Sequence, residues 1–356
     1  MRAGWFVAVL TAAAVLAAGC GNNAGDKQSG SDAPTIALFL PESKTTRYEA
    51  FDRPLFEAKV RALCAQCKVL YANADQDAAK QQQQVEAALA QGADVLVLDA
   101  VDAGAVASLV NQAKQKKVPV VAYDRLISGI SYEYYVSFDN VRVGQMQGQA
   151  LLDAMSKTGK TGQIVMLNGS PTDPSSADYK KGAHSVLDGK VQIGREYDTP
   201  DWSPDKAQQE MEQAITALGR DTVVGVLSAN DGMAGGAIAA MKRAGYATLP
   251  PITGQDAELA AVQRILTGEQ YMTIYLDIRT EAEKSAELAV ALGRGEKPAA
   301  PTKVNNGTAD IPTFLLDPTA VTADKIKDTI VKDGFYKPAE ICTGAVAAAC
   351  TKAGIQ

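Results

Sequence analysis

The sequence has few of the residues that metal centres and nucleic-acid sites require, and these shortages exclude whole classes of function. His184 is the one histidine among 356 residues, and only five cysteines occur. A cluster of histidine and cysteine ligands is therefore not expected, and neither a metal nor another cofactor is predicted. Acidic residues outnumber basic ones, 41 against 35, which gives a net charge of −6. This balance argues against nucleic acid as a partner.

Aromatic residues are also scarce, at 6% of the chain, whereas apolar residues reach 46%. Such a composition is typical of an α/β protein that is rich in alanine and valine. The length exceeds one ordinary hydrophobic core, so it predicts two lobes of common size.

The N-terminal segment contains the apolar run WFVAVLTAAAVLAAG, which ends at Cys20. The run is shorter than a comfortable membrane span and ends in small residues, so residues 1–19 are predicted to be an export signal. LAAGC is similar to a bacterial lipobox, which implies that Cys20 is lipidated and becomes the first mature residue. Residues 20–33 would then form a polar, flexible tether. We expect an extracytoplasmic, membrane-anchored protein; a secreted protein with a free N-terminus is the alternative.

The other four cysteines fall into two close pairs. Cys64 and Cys67 form CAQC, whereas Cys342 and Cys350 bracket TGAVAAA. A redox-active Cys-x-x-C pair usually opens a helix after a strand, but CAQC closes an apparent helix. An even number of cysteines in an oxidising compartment favours structural disulfides over a catalytic pair. We predict pairing between neighbours, although the spacing leaves the connectivity open.

Apolar runs typical of strands alternate with helical segments from residue 35 onward. The runs are TIALFL, KVLYAN, DVLVLDA, PVVAYD, YYVSFD, GQIVMLNG, TVVGVLSAN, PPITGQD and YMTIYLD. Segments with helical periodicity, such as SPDKAQQEMEQAITAL, separate them. This alternation predicts an α/β fold with doubly wound parallel sheets that are covered on both faces.

Polar residues follow almost every predicted strand. In VPVVAYDRLISG, Asp124 and Arg125 come directly after the strand, and no helical pattern continues from them. Parallel sheets bind ligands beyond the carboxyl ends of their strands, so such residues are expected to meet at one edge. Helix capping accounts for Asp231, which is predicted to be an N-cap. The other strand-end residues are Asp139, Asn140, Asn168, Asp173, Asn230, Gln255, Asp256 and Asp277.

Carboxylates, side-chain amides and an arginine together suit a polyhydroxylated ligand. Each sugar hydroxyl can donate to a carboxylate and accept from an arginine or an amide. Tyr48 and Trp202 follow strand ends and offer aromatic faces to a sugar ring, although core packing of Trp202 is the alternative. A phosphate ligand is not indicated, because GMAGGA matches neither a dinucleotide-binding motif nor a P-loop.

Several long motifs together resemble one family. They are YDRLI, YYVSFDNVRVGQMQ, SANDGMAGGAIAAM, GQDAELAAVQRILTGEQYMTIY and NNGTADIPTFLLDPTAVTADKIKDTIVKDGFYK. Over residues 35–337 the chain is similar to the periplasmic D-xylose-binding proteins, which are sugar-binding components of ABC transporters. The cysteine-containing tail 338–356 lies outside this resemblance.

The resemblance implies a type I periplasmic binding protein, in which two lobes joined by three crossing segments close on a sugar. It implies a monomer whose partners are a monosaccharide and an ABC-transporter permease. Mapped by motif, the first lobe would hold residues 34–139 and 277–309, and the second 140–276 and 310–337. The crossing segments would be hinges near Asp139, Asn140, Asp277 and residues 305–311.

The resemblance also implies a set of ligand contacts. Tyr48 stands where relatives have Trp, and Ser175 replaces an Asn of the xylose binders. Leu276 stands where relatives carry Lys or Gln, so we expect one hydrogen bond to a hydroxyl to be missing. The ligand is then D-xylose bound more weakly than usual, or a sugar without that hydroxyl. The implied contacts are Arg47, Tyr48, Asp124, Arg125, Asp173, Ser175, Trp202, Asn230, Asp256 and the position of Leu276.

Three other functions are weighed against this one. The ligand could be glucose, galactose, ribose or a furanosyl autoinducer bound by the same fold. A LacI-type regulator shares the fold but needs an N-terminal helix-turn-helix, where this chain has its apolar run and polar segment. A glycosidase uses paired carboxylates, but nothing in the sequence distinguishes a protonated acid from an ionised partner. We therefore predict a binding protein and not an enzyme.

Overall fold

The computed structural model describes Met1 and residues 31–355. The predicted export signal, Cys20 and most of the predicted tether lie outside the described residues. Within residues 31–355, no helix is both long enough and apolar enough to cross a lipid bilayer.

The first part of the chain builds one α/β lobe. Its strands are short buried runs of apolar residues, as expected where helices cover both faces of a parallel sheet. A π-helical turn, Tyr48–Asp52, leads into the first helix. The strands are β1 (Thr35–Leu40), β2 (Lys68–Asn73), β3 (Val95–Leu98), β4 (Val120–Tyr123) and β5 (Tyr134–Phe138), and the helices are α1 (Arg53–Leu63), α2 (Ala78–Ala90) and α3 (Ala107–Gln115).

The middle of the chain builds a second α/β lobe. Its longest helix, α4 (Asn140–Thr158), begins directly after the first crossing. The remaining elements are β6 (Gln163–Asn168), α5 (Pro174–Leu187), β7 (Gln192–Asp198), α6 (Pro204–Leu218), β8 (Val223–Ser228), α7 (Asp231–Arg243), α8 (Leu259–Thr267) and β9 (Met272–Tyr275).

The chain then returns to the first lobe and ends in the second. Helix α9 (Ile278–Gly293) packs against α1 of the first lobe. The final elements are β10 (Thr302–Asn305), β11 (Asp310–Leu316), β12 (Thr319–Thr322), α10 (Pro338–Ile341) and α11 (Ala347–Lys352).

Each lobe has its own sheet. The first sheet has the order β10-β11-β5-β4-β3-β1-β2 and is parallel except for the β10–β11 pair. In the second lobe, β7-β6-β8 form a parallel sheet, and β9 pairs with β12 in antiparallel fashion. Single bridges, Val226 to Ile252 and Gln255 to Ile274, connect these two parts. The carboxyl ends of both sheets therefore face the space between the lobes.

The structure moves one predicted boundary. Residues 310–337 were predicted to lie in the second lobe, but β11 pairs with β5 in the first sheet, with Thr313 opposite Tyr135. The third crossing therefore follows Leu316, and β12 begins the second-lobe segment. The difference arises because the seven-residue strand β11 begins within residues 305–311, where the motifs had placed the crossing.

The first and third crossing segments contact each other. Asp139 N donates to Leu316 O at 3.2 Å, and Arg142 pairs with Asp317 at 2.7 Å. Asp139 caps α4 and Asp277 caps α9, each through a side-chain hydrogen bond to a helix N–H. Motion about these segments remains a prediction.

Both cysteine pairs are bonded between neighbours in the structure. Cys64 is linked to Cys67 after α1, and Cys342 is linked to Cys350 in the tail. The tail packs on the second lobe, where Ile341 and Cys350 are buried and Gln263 Nε2 donates to Ile341 O at 3.0 Å. It therefore belongs to the second lobe and is not an appendage.

Candidate functional site

A cavity lies between the lobes, at the carboxyl ends of both parallel sheets. Its empty volume, which includes space open to solvent, is about 340 Å³. Both lobes supply its walls, and nearly all of the lining side chains are polar or aromatic. The lining residues are Thr45, Arg47, Tyr48, Asp124 and Arg125 from the first lobe, with Asp173, Ser175, Tyr179, Trp202, Asn230, Gln255 and Asp256 from the second.

Arg47 is held by three carboxylates. The π-helical turn after it brings Asp52 back to the guanidinium, whose Nε and Nη2 donate to Asp52 at 3.0 and 2.6 Å. Nη2 also donates to Glu281 at 2.5 Å, and Nη1 to Asp124 at 3.4 Å. Burial opposes the charge, but these carboxylates outweigh it and raise the pKa of Arg47 above its ordinary value. The guanidinium is therefore a permanently charged, fixed donor at the cavity.

Asp124 presents its carboxylate from a left-handed backbone. Its φ is +59°, a region that side-chain-bearing residues seldom occupy and that clusters at functional sites. The main chain is held there because Ser137 Oγ donates to Asp124 O at 2.7 Å. Its Oδ2 accepts from Tyr48 Oη at 3.1 Å and its Oδ1 from Arg47. Asp124 thus retains lone pairs for a donor within the cavity.

Arg125 pairs across the cleft and not with its neighbour Asp124. Its Nε lies 2.9 Å from Asp173 Oδ2, on the opposite lobe, and 3.4 Å from Asp99 Oδ1. Nη1 donates to Ala100 O at 3.0 Å and Nη2 to Tyr48 Oη at 3.3 Å. Asp124 and Arg125 are therefore linked through Tyr48 Oη in one hydrogen-bond network, which Arg125 extends to Asp173 on the opposite lobe.

Trp202 lies both at the cavity and in the core of the second lobe. Its indole lines the cavity, yet only 6% of the residue is exposed, and it belongs to the second-lobe core. Nε1 donates to Asp173 Oδ2 at 3.1 Å, and the ring meets Tyr179 edge-on at 6.2 Å. The ring lies so close to Gly169 that a Cβ there would be 2.0 Å from it. The indole is therefore a rigid aromatic wall.

Two helix termini add polar groups from the second lobe. Asp173 caps α5 by accepting from Ser175 N at 2.9 Å, and the Ser175 hydroxyl accepts from Asn140 Nδ2 at 3.2 Å. Asn230 caps α7 by accepting from Met233 N at 2.9 Å. The predicted cap, Asp231, is instead the first residue of the helix. The extended backbone of Asn230 (φ −140°) explains the difference, because an N-cap residue is non-helical.

The end of the second sheet carries Gln255 and Asp256. Gln255 Nε2 lies 3.3 Å from both Tyr179 Oη and Asp256 Oδ1. Asp256 has a φ of +91°, and the next residue, Ala257, has +49°. Burial raises the pKa of Asp256 to about 7, so its carboxyl is partly protonated near neutrality.

Negative charge exceeds positive charge around the cavity. The two guanidiniums face six carboxylates, which are Asp52, Asp99, Asp124, Asp173, Asp256 and Glu281. Burial raises the pKa of four of them above the ordinary carboxyl value, namely Asp99, Asp173, Asp256 and Glu281. The site therefore favours hydrogen-bond donors and disfavours anions.

The lobes touch on both sides of the cavity. On one side, Ala103 N donates to Thr172 O at 3.3 Å. On the other, Thr46 N donates to Glu258 Oε1 at 3.3 Å, and Phe51 stacks on Phe335 with ring centroids 4.2 Å apart. The structure therefore has the closed arrangement of the two lobes.

Nine of the ten residues proposed as ligand contacts line this cavity. Leu276 does not: it is 1% exposed and belongs to the second-lobe core, because its side chain packs among apolar neighbours. The expectation that Leu276 faces a sugar hydroxyl is therefore wrong for this structure. Three lining residues were not proposed as contacts, namely Thr45, Tyr179 and Gln255. Tyr179 follows Ser175 by four residues on α5, a spacing that places both on one helix face and was available in the sequence.

Comparison with known proteins relates most of the chain to sugar-binding proteins. The sequence profile of the family described as periplasmic binding protein domain matches residues 36–297. The chain is 36% identical to the D-xylose-binding periplasmic protein of Escherichia coli strain K12, covering 86% of this chain and 92% of that protein. It is 37% identical to the corresponding protein of Haemophilus influenzae, with coverages of 85% and 90%. An ABC transporter solute binding protein from Clostridium phytofermentans, solved with β-D-glucose, superposes with a TM-score of 0.78 at 28% identity, covering 86% and 99%.

Proposed function

The chain belongs to the periplasmic binding protein family and has its type I fold, and we propose that it captures a monosaccharide between its lobes for an ABC transporter. D-xylose or a closely related aldose is the proposed ligand, since two similar proteins are named for D-xylose. One observation carries the proposal. A single cavity presents Arg47 and Asp124 from one lobe and Asp173, Asn230 and Asp256 from the other.

The chemistry of these walls matches a neutral polyol. Each hydroxyl of an aldose both donates and accepts, so it can bridge a carboxylate and an arginine or amide. Charge-assisted hydrogen bonds of this kind are about twice as strong as neutral ones. The excess of carboxylates opposes uronic acids and sugar phosphates. The face of Trp202 offers an apolar contact to the C–H side of a pyranose ring.

Binding from both walls favours the closed form of the protein. A ligand that contacts both lobes stabilises closure by its differential affinity for the closed and open states. The expected hinges are the crossing segments at Asp139–Asn140, at Asp277 and after Leu316. Asp139 and Asp277 are helix N-caps, and Leu316 O accepts a hydrogen bond from Asp139 N. A monomer suffices for this cycle, and an ABC permease is the proposed partner.

We propose binding without catalysis. The similar proteins are binding components and not enzymes. The partly protonated Asp256 is compatible with hydrogen bonding to a sugar and requires no acid–base step. Incubation with aryl glycosides and free aldoses should give stoichiometric binding and no product; turnover would overturn this part of the proposal.

Cys20 is the proposed point of membrane attachment. The sequence LAAGC and the polar segment after it support a lipidated, extracytoplasmic protein. Replacing Cys20 with Ser should release the protein from the membrane fraction, and mass spectrometry of the wild-type N-terminal peptide should find acyl chains. An unmodified N-terminal peptide in the membrane-associated protein would contradict the anchor.

A thermal-shift screen over aldopentoses and aldohexoses tests the ligand class. A ligand at a hundredfold excess over its Kd stabilises the folded state by about 2.7 kcal/mol. We expect D-xylose to give the largest shift and D-glucose a smaller one, with glucuronate giving none. Shifts with amino acids or nucleosides, and none with any aldose, would reject the assignment.

A further inference from the structure

The loop Gln255–Glu258 carries cavity residues and a contact between lobes on a strained backbone. Gln255 and Asp256 line the cavity, and Glu258 accepts from Thr46 N on the other lobe. Asp256 and Ala257 both have left-handed φ values, +91° and +49°. Such a conformation persists only when surrounding contacts hold it.

Those contacts converge on one buried carboxylate, Asp231, which does not line the cavity. Its Oδ2 accepts from Glu258 N at 3.0 Å and from Thr273 Oγ1 at 2.8 Å. Thr273 Oγ1 in turn accepts from Ala257 N at 3.1 Å. The other carboxylate oxygen, Asp231 Oδ1, accepts from Gln270 Nε2 at 2.7 Å. The two consecutive N–H groups that follow Asp256 are therefore held by Asp231, one directly and one through Thr273.

The main chain around Asp231 completes the arrangement. Asp231 N donates to Gln255 O at 3.0 Å, and Arg264 Nη2 donates to Asp231 O at 2.8 Å. A Cβ at Gly254 would lie 2.0 Å from Asp231 Oδ1, so the carboxylate can approach the loop because residue 254 is glycine. Asp231 itself is fully buried.

We propose that Asp231 is a positioning residue, which holds the Gln255–Glu258 loop in its binding conformation and so sets sugar affinity without touching the sugar. The sugar part of this inference rests on the proposed function, whereas the loop part rests on the contacts alone. Asp231 also joins α7, capped by the cavity residue Asn230, to the loop that presents Asp256.

The variant Asp231→Asn isolates this role because it keeps the size of the side chain. Each carboxylate oxygen of Asp231 faces donors, Gln270 Nε2 on one side and Glu258 N with Thr273 Oγ1 on the other. An amide group would place an NH2 against one of these sets in either orientation. One side of the network must therefore break.

Amide hydrogen exchange of the ligand-free protein tests the loop directly. A peptide covering residues 254–262 should exchange at least about tenfold faster in Asp231→Asn than in wild type. Met241→Ala is the control, since it removes a buried side chain near the C-terminal end of α7 and leaves the hydrogen bonds of Asp231 in place. It should lower the melting temperature and leave exchange in this peptide unchanged. Wild-type protection in Asp231→Asn would overturn the proposal.

Sugar titration tests the consequence for binding. Asp231→Asn should raise the Kd for D-xylose about tenfold, whereas Met241→Ala should leave it within about twofold. In an Asp256→Ala background the effect of Asp231→Asn should shrink to about threefold or less, because Asp231 acts through the loop. An undiminished effect in that background would refute positioning. If wild type binds no aldose, the proposed function fails while the exchange experiment still decides the role of Asp231.

Thr273 provides a second test if Asp231→Asn does not fold. Thr273→Val removes the hydroxyl that links Asp231 to Ala257, whereas Thr273→Ser retains it. The valine variant should reproduce the faster exchange of residues 254–262, and the serine variant should restore protection. Equal exchange in both variants would contradict a hydrogen-bonded support for the loop.

Discussion

The two walls of the cavity are held in place by different physical means. In the first lobe, Arg47 is fixed by ion pairs with Asp52, Glu281 and Asp124. In the second lobe, Trp202 and Asp256 sit on left-handed backbone that neighbouring hydrogen bonds must hold. Both walls therefore contain left-handed backbone, at Asp124 on the first and at Trp202 and Asp256 on the second, but the ion pairs around Arg47 belong to the first wall. Binding at the first wall should therefore depend on the wall's own charged side chains. Binding at the second wall should depend on residues that support it from outside the cavity.

The largest effect is expected from Asp124→Ala on the first wall. The substitution removes an acceptor for sugar hydroxyls and leaves Arg47 Nη1 without its carboxylate partner. Removing one partner of a buried charged pair typically costs several kcal/mol, so the Kd for D-xylose should rise at least about 100-fold. Folding should survive, because Arg47 keeps Asp52 and Glu281. Titration calorimetry and thermal unfolding measure both quantities.

The control for Asp124→Ala is Glu212→Ala, which removes an exposed ion pair with Arg243 outside the cavity. Such pairs contribute about 0–1 kcal/mol, and the affinity should stay near wild type. Wild-type affinity in Asp124→Ala would mean that Asp124 is a structural residue and not a ligand contact.

On the second wall, Asp256 should make stability depend on pH. Burial raises the pKa of its carboxyl from 3.8 to about 7, so the folded state binds this proton more tightly than the unfolded chain does. The contribution to stability is therefore full below about pH 4 and is lost as the pH rises to about 7. Across that window it amounts to about 1.4 kcal/mol per pH unit. Asp256→Asn should flatten the unfolding free energy against pH by this amount.

Denaturant unfolding of the ligand-free protein at several pH values measures that slope. Asp205→Asn, on the exposed side of α6, is the matched control and should leave the slope as in wild type. An unchanged slope in Asp256→Asn would show that the carboxyl titrates as it does in water.

A smaller effect is expected where the walls meet at Phe51 and Phe335. The rings stack across the lobes with centroids 4.2 Å apart and do not line the cavity. An aromatic pair contributes about 0.5–1.5 kcal/mol, so Phe51→Ala should raise the Kd about 2- to 12-fold by favouring the open state. Small-angle scattering should show a larger radius of gyration without sugar and closure only at higher sugar concentration.

Phe314→Ala is the control for the aromatic contact, because its ring meets Tyr134 within the first lobe. It should leave both the scattering profile and the Kd near wild type. An unchanged Kd and unchanged scattering in Phe51→Ala would mean that the contact between lobes does not influence closure.

The smallest effect on binding is expected from the two disulfides. Neither pair lines the cavity, so replacing Cys64 and Cys67, or Cys342 and Cys350, with serine should leave the Kd within about twofold. Each should lower thermal stability, by up to about 2–3 kcal/mol because the closed loops are short. Non-reducing peptide mapping should find each neighbouring pair oxidised. Free thiols, or reduction of insulin by the protein, would contradict structural disulfides.

Most cavity residues could be predicted from the sequence, because the signal for each of them lies in one short stretch of the chain. A buried strand followed by Asp124-Arg125, or by Asn230, is readable along the chain, and parallel topology brings the strand ends together. The partner of Arg125 was not readable in this way. Asp173 lies on the other lobe, 2.9 Å from Arg125 Nε, and no pattern along the chain joins the two residues.

Three other features depended on tertiary packing. The direction of the Leu276 side chain is set by the second-lobe core, so motif alignment placed it at the sugar although it points among apolar residues. Strand β11 continues the first sheet, which moved the third crossing beyond Leu316. The role of Asp231 required the folded loop beside it, because the residues that it contacts lie 27 to 42 positions away.

Titration calorimetry of the wild-type protein with D-xylose shows whether the two walls bind a sugar. We expect one sugar per chain with a micromolar or lower Kd, competition by D-glucose and no heat with glucuronate. Binding of an amino acid or a nucleoside with no response to any aldose would contradict the claim that these two walls together recognise a neutral sugar.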